Sequence, residues 1–573
     1  MIWNSHEFIW LDWIIIAVGF LLVAWAVWRA IQKQKSLAGG ESSREYFLGG
    51  EPWYVMGAAI FAANIGSEHL VGLAGAGANT GMGMGHWEMQ GWMILILGWL
   101  FVPFYKHSGV FTMPEFLNRR YTRSTSSWLS IITLISYVLT KVSVTAFTGG
   151  IFLESLLGLN FWVGAVGLVL LTGVFTVIGG MKGVMTLSKI QTPILIIGSF
   201  LVLFLGLLSL GNGSIAQGWS SMIEHSKTLN NGFGTNHLMH FDKADPLYNK
   251  FPGIWVFVGA AIIGFWYWCT DQHIVQRVLG GKDMNEMRKG TIAAGYLKIL
   301  PIFMFLIPGM IAIALQNKAG SGFDMGTVVK NGKEALNTDA AFGAMVKFVL
   351  PAGVKGIVTI GFISALVASL AAFFNSCATL YTVDFYKPKH PDASETKLVW
   401  IGRLATWVVV LLGLVWIPVM MGLGSLYEYL QDVQSLLAPS IVAVFVLGIF
   451  SKKITPKAGE VGIIVGFAIG MIRLCCNIFK DKLNTIDSIQ FLGWFWNTNW
   501  LIFEIFLLLF IILVMIVTSF VTPRASEEKL KGITFATQSP EQKAETRASW
   551  SVLDVVASLG VVAICIAFYV YFW

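Results

Sequence analysis

The stretch FAANIGSEHLVGLAGAG at residues 61–77 decides how the chain is read. It lies where an apolar helix would run through a membrane, yet Asn64, Gly66, Ser67, Glu68 and His69 fall within six positions. The bilayer core holds no water to satisfy a loosened backbone, so such a segment persists only where protein buries it or it lines a cavity. Glu68 and His69 are ionisable residues inside a span, and such residues mark functional sites by default. The stretch therefore reads as a broken helix whose freed carbonyls and polar side chains bind a solute or an ion.

The rest of the composition agrees with a membrane setting. The chain has 573 residues, 55% of them hydrophobic and only 12% charged, with a mean hydropathy of +0.69. Soluble domains carry about twice that charged fraction. Size here comes from repeated spans. The basic residues sit in short loops between spans, where they report orientation, so a nucleic-acid partner is excluded. The five cysteines lie in or beside apolar segments without a CxxC or Cys/His pattern, which indicates neither a zinc site nor a disulfide framework. The first apolar segment is followed, not preceded, by basic residues (Arg29, Lys33, Lys35), the reverse of a signal peptide.

A span needs roughly 20 apolar residues. Fourteen candidates follow, near 9–30, 53–74, 85–105, 127–153, 160–179, 184–211, 253–276, 291–316, 344–380, 397–421, 426–450, 457–477, 498–521 and 551–572. The ninth is long enough to contain a bend. With the N-terminus outside and spans alternating, the inside loops hold 24 basic residues and the outside loops eight. That bias supports both termini outside, in a plasma membrane or bacterial inner membrane. Segments 212–252, 317–343 and 478–497 are then long outside loops, and 522–550 is a cytoplasmic, solvated linker before a peripheral last span.

Spans 2 and 7 are each interrupted and lie five spans apart. Span 7 carries FWYWCTDQHIVQR at 265–277, where Thr270, Asp271 and Gln272 interrupt an aromatic helix. Interrupted spans at matching positions of two five-span halves point to an inverted-repeat transporter with its site at the midplane. The halves run near 53–211 and 253–450, within a core of 53–477, with an extra helix and loop at 1–52 and peripheral helices at 478–573.

Further motifs share one pattern: EYFLGG at 45–50, MPEFLNRRY at 113–121, GYLKILP at 295–301, FFNSCATLYTVDFY at 373–386 and YLQ at 429–431. With AANIGSEHLVGLAG and WYWCTDQ, in this order and spacing, the chain resembles the sodium:solute symporter family, and within it the sodium/glucose cotransporters. The resemblance implies an all-α, LeuT-like fold of five plus five inverted helices, spans 2–11. It implies a secondary active transporter that moves a monosaccharide such as glucose or galactose into the cell by alternating access. The partners implied are the sugar and the lipid bilayer.

By the same resemblance, Asn64, His69, Glu88, Lys298 and Gln431 contact sugar hydroxyls, and Tyr267, with Trp268 beside it, closes the inner side. These residue types suit a sugar, which needs donors, acceptors and an aromatic plate. Gly264 stands where relatives have a polar contact. Plainer readings exist. Glu88 and Lys298 would also make a buried ion pair between helices, Gln431 an interhelical hydrogen bond, and Asp271 and Gln272 partners for backbone freed by the break.

The resemblance implies one sodium ion held by the carbonyls of Ala62, Ile65 and Ala365 and by hydroxyls at positions 368 and 369. Position 369 is Ser369, but position 368 is Ala368 and brings no hydroxyl. A second departure lies in GGMKGVMTLSKIQ at 179–191, where Ser188 replaces the aspartate usual in sugar cotransporters and Lys189 follows. A positive charge there would disfavour sodium. This leaves a proton-coupled or uncoupled sugar carrier, with Lys189 in place of sodium, as an alternative, unless Lys189 snorkels to the headgroups. A non-sugar solute symporter and a membrane sugar sensor are further alternatives. No nucleophile–base pair or metal motif indicates an enzyme.

Overall fold

A computed structural model describes residues 7–38, 52–110, 112–330, 333–421 and 426–573. The EYFLGG motif at 45–50 lies outside them. Twelve helices among the described residues are long and apolar enough to cross a membrane. A thirteenth is the bent pair Ile254–Thr270 and Gln272–Leu279, and Trp53–Asn64 adds a shorter apolar helix. The run Glu68–Ser108 is interrupted at Gly81, φ +68° and ψ −133°, where the fourteen-span reading separates span 2 from span 3. Fourteen is therefore an approximate count of a nearly all-helical membrane architecture, in which Thr327–Lys330 and Lys333–Leu336 form one antiparallel strand pair.

Both anticipated breaks are present. In span 2 the helix Trp53–Asn64 stops at Ile65, which is extended at φ −87° and ψ 106°. The chain resumes as a π-helical turn at Glu68–Leu73. A helix end leaves its last carbonyls without intrahelical partners. Phe61 O still accepts from Ile65 N at 3.0 Å. Ser67 fastens the gap to span 4, its hydroxyl donating to Thr145 O at 2.9 Å and meeting Thr148 Oγ1.

In span 7 the π-helical segment Trp266–Thr270 ends at Asp271, extended at φ −78° and ψ 130°. The two halves are bent by 43°. Asp271 Oδ1 accepts from His273 N and from the hydroxyl of Tyr137 on span 4. Gln272 Oε1 accepts from Met113 N at 2.8 Å. Asp271 therefore satisfies a backbone donor at the break, as the plainer reading expects, whereas Gln272 serves the Met113 amide, 159 positions away.

Elsewhere the fold follows local chemistry. The helical run Phe161–Leu210 is divided at Gly180, φ 50° and ψ −152°, a conformation that favours glycine and that separates spans 5 and 6. The long ninth segment is two helices, Ala341–Val349 and Val354–Leu380. Asp12 of span 1 caps the second, accepting from Gly353 N at 2.7 Å and Gly356 N at 3.1 Å.

The segment 522–550 departs from the expectation of a solvated linker. It is docked on the bundle: Lys529 Nζ donates to Tyr121 O, and Phe535 packs edge-on against Phe104 with ring centroids 4.4 Å apart. Arg288 Nη1 donates to Ser549 Oγ at 2.5 Å. The last span is also tied in, with Tyr569 OH 2.9 Å from His86 Nδ1 and Leu238 N donating to Phe572 O at 2.9 Å.

Candidate functional site

The two breaks open onto one cavity of about 40 Å³. All seven residues expected to contact a solute line it: Asn64, His69, Glu88, Tyr267, Trp268, Lys298 and Gln431. They arrive from spans 2, 3, 7, 8 and 11, up to 367 positions apart in sequence. A helix break brings them within reach because it turns side chains and carbonyls inward at the depth where an intact helix would present only apolar surface.

Glu88 is the centre of the polar network. Lys298 Nζ donates to Glu88 Oε2 at 2.6 Å, and His69 Nε2 lies 3.5 Å from Oε1. Asn64 Nδ2 is 3.3 Å from the same His69 nitrogen. The aromatic wall is edge-to-face, with Tyr267 and Trp268 centroids 4.9 Å apart. Lys298 Nζ sits 5.4 Å from the Trp268 ring, within range of a cation–π contact. Below, Tyr267 OH is 3.2 Å from His273 Nε2, whose Nδ1 is 3.1 Å from Asp271 Oδ1. Several buried polar atoms in the lining make no hydrogen bond, among them Glu68 Oε2, Trp87 Nε1, Gln431 Oε1 and Gln434 Nε2. Buried polar groups are nearly always partnered, so this lining is equipped for a polar ligand.

The structure adds residues that the sequence reading passed over. Lys141 lines the cavity, and its Nζ lies 4.3 Å from the Tyr267 ring centroid. A lysine inside span 4 is a signal by itself. Gln90 lines the cavity as well and explains Gly264. A Cβ at Gly264 would lie 2.7 Å from Gln90 Cδ and Oε1, so Gln90 fills the space a side chain at 264 would take. There it accepts from Trp268 Nε1 at 3.1 Å and donates to Ala260 O at 2.7 Å.

The ion-site residues Ala62, Ile65, Ala365, Ala368 and Ser369 are all buried. Ser369 Oγ makes no hydrogen bond and would lie 2.7 Å from a Cβ built at Gly66, beside the break. Ser188 and Lys189 do not line the cavity. The Ser188 hydroxyl donates to Val184 O at 2.9 Å, and the Lys189 side chain is exposed. The structure thus gives no support to a lysine standing in for an ion at the break.

A family model described as the sodium:solute symporter family matches residues 46–466. The chain belongs to that family. Its members are transporters, and this symporter is no enzyme. Sodium/glucose cotransporter 4 of Danio rerio is 32% identical over 94% of this chain and 83% of its own length. Sodium/glucose cotransporter 2 of Rattus norvegicus is 34% identical over 82% and 72%. Sodium/myo-inositol cotransporter 2 of Oryctolagus cuniculus is 32% identical over 94% and 81%. Among solved structures, a Na+-coupled sialic acid symporter in a substrate-bound outward-open state aligns with a TM-score of 0.71 at 17% identity, covering 91% of this symporter and 100% of that chain. That likeness shows the fold, the LeuT-like inverted repeat.

Proposed function

We propose that this symporter imports a monosaccharide, driven by one sodium ion, by alternating access. The observation that carries the proposal is the convergence of seven residues from five spans on one cavity between the two helix breaks. The charge of the lining favours a neutral solute. Glu88 is paired with Lys298, the lining carries both signs of charge, and among the described residues no arginine lines the cavity. A carboxylate substrate would call for an arginine clamp, whereas a ring of hydroxyls needs mixed donors and acceptors beside an aromatic plate. Relatives whose names record sodium and glucose, or sodium and myo-inositol, point to the same chemistry.

In this reading sugar hydroxyls bond Asn64, His69, Glu88, Lys298 and Gln431, with Trp268 as the plate. Sodium binds where the carbonyls of Ala62 and Ile65 meet Ala365 and Ser369. The ion drives uptake only by favouring the sugar-binding conformation, since equal affinity for both conformations would shift nothing. Tyr267 closes the inner side and moves aside for release. Loop charge supports an orientation with both termini outside the cell.

Equilibrium binding of labelled glucose and galactose to the purified protein, in sodium and in potassium, tests the proposal. Binding strengthened by sodium and weakened in Gln431→Ala supports it. Binding indifferent to both, or absent, overturns it.

A further inference from the structure

The position assigned to the ion is one oxygen short, because Ala368 brings no hydroxyl. The structure places another oxygen beside it. Glu68 opens the π-helical turn immediately after the break in span 2. It is 5% exposed, and among the described residues its buried Oε2 has no hydrogen-bond partner. Ser369 Oγ, on span 9, is also buried without one. Both groups converge on Gly66. A Cβ there would sit 2.7 Å from Ser369 Oγ and 2.9 Å from Glu68 Cδ, and would collide with Glu68 Oε2. The backbone of Gly66 is not in the left-handed region, so glycine is needed here for space. A carboxylate oxygen and a hydroxyl oxygen thus meet at Gly66, two residues beyond the end of the Trp53–Asn64 helix.

We propose that Glu68 supplies the ion ligand that Ala368 lacks, making it a specificity-determining residue for the driving cation. This deepens the sodium-symport reading and rests on it. A buried carboxylate is costly unless a positive charge compensates it, and sodium bound at the break would do so directly. Lys141 on span 4, Lys298 on span 8 and Tyr267 on span 7 also lie in the electrostatic field of Glu68. Lys298 is engaged by Glu88 at 2.6 Å and Lys141 lies over Tyr267, so neither takes the hydrogen-bonding place at Oε2. A carboxylate in place of a neutral hydroxyl adds a negative charge to the ion position, so sodium binding neutralises it.

The test is sodium titration of sugar binding by the full-length protein in Glu68→Ala, Glu68→Gln, Ala368→Ser and the double variant Glu68→Ala/Ala368→Ser. The expected result is a rise of about tenfold or more in half-saturating sodium for both Glu68 variants, the effect of losing one charged ligand. Sugar affinity measured at saturating sodium changes less than half-saturating sodium does, because Glu68 also lines the solute cavity. The restored hydroxyl in the double variant brings the sodium curve most of the way back, which a misfolded or merely destabilised protein would not show. Sodium-dependent thermal protection of the purified variants, measured without sugar, follows the same order.

An unmoved sodium curve in both Glu68 variants overturns the proposal. So does a fall in sugar affinity with the sodium curve unmoved, which would make Glu68 a sugar ligand. A shifted curve that Ala368→Ser leaves unchanged also overturns it. A parent protein whose sugar binding ignores sodium refutes symport itself, a failure distinct from these three.

Discussion

The Glu88–Lys298 pair separates a sugar site from a structural clasp. Its two side chains are almost wholly buried and 2.6 Å apart. Lys298→Met would leave the Glu88 carboxylate buried without its main partner, a change that costs about 3–5 kcal/mol in buried pairs. The low end is expected here, because His69 Nε2 at 3.5 Å provides a second positive partner when protonated. Removing both charges in Glu88→Gln/Lys298→Met leaves no orphan and is close to neutral for folding. Thermal stability in detergent should therefore drop in Lys298→Met and recover in the double variant. Transport should behave differently. Each charged group bonded to a sugar hydroxyl contributes about 1.5–3 kcal/mol, so losing two lowers apparent sugar affinity by about a hundredfold or more. Stability in detergent, and uptake after reconstitution of the same purified preparations, decide the matter. A double variant that regains stability and transports with the parent affinity would refute the sugar contact and leave the pair as a clasp between spans 3 and 8.

Gly264→Ala should push Gln90 off Trp268 Nε1 and Ala260 O and weaken sugar binding by about tenfold; adding Gln90→Ala should bring little further loss, because the two changes remove the same contacts, and a full additive loss would contradict the packing. Loop 212–252 should loosen as pH falls. Partial burial would raise the Asp245 carboxyl, but hydrogen bonds from Asn230, the Leu247 amide and His240 hold it below the usual range. Burial lowers His240 even against the pull of Asp245, 2.5 Å away. Both groups thus bind more protons when the loop is open, so its stability falls from about pH 6.5 downward, through the imidazole and then the carboxylate range. Hydrogen-exchange protection factors over residues 229–252, corrected for the intrinsic pH dependence of exchange, should fall between about pH 7 and about pH 5; equal protection would contradict this. In a protein lacking Cys475 and Cys476, an impermeant maleimide should label Lys227→Cys on intact cells and Lys543→Cys only after permeabilisation; the reverse would invert the topology.

Much of the site was legible because membrane interiors punish polarity. The breaks at Ile65–Ser67 and Asp271 were visible as polar runs inside apolar ones, and the seven cavity residues followed from the family resemblance that the motifs carry. Lys141 was equally visible as a charge within span 4, but no motif singled it out. Gln90 was not readable, since its role arises from space left at Gly264, 174 positions away. The docking of 522–550 escaped for a similar reason. Its composition is that of a solvated linker, and only long-range contacts such as Lys529 to Tyr121 O and Phe535 to Phe104 hold it. The ion position was legible as a deficit at Ala368; the oxygen beside it became apparent only when Gly66, Glu68 and Ser369 were seen together.

The most direct measurement is accumulation of labelled glucose and galactose in proteoliposomes under an inward sodium gradient, with potassium replacing sodium and with a proton gradient in separate arms. The account predicts uptake above the external concentration with sodium alone, first order in sodium, and abolished when an ionophore dissipates the gradient. Equal uptake in all arms, or accumulation driven by protons, would contradict it.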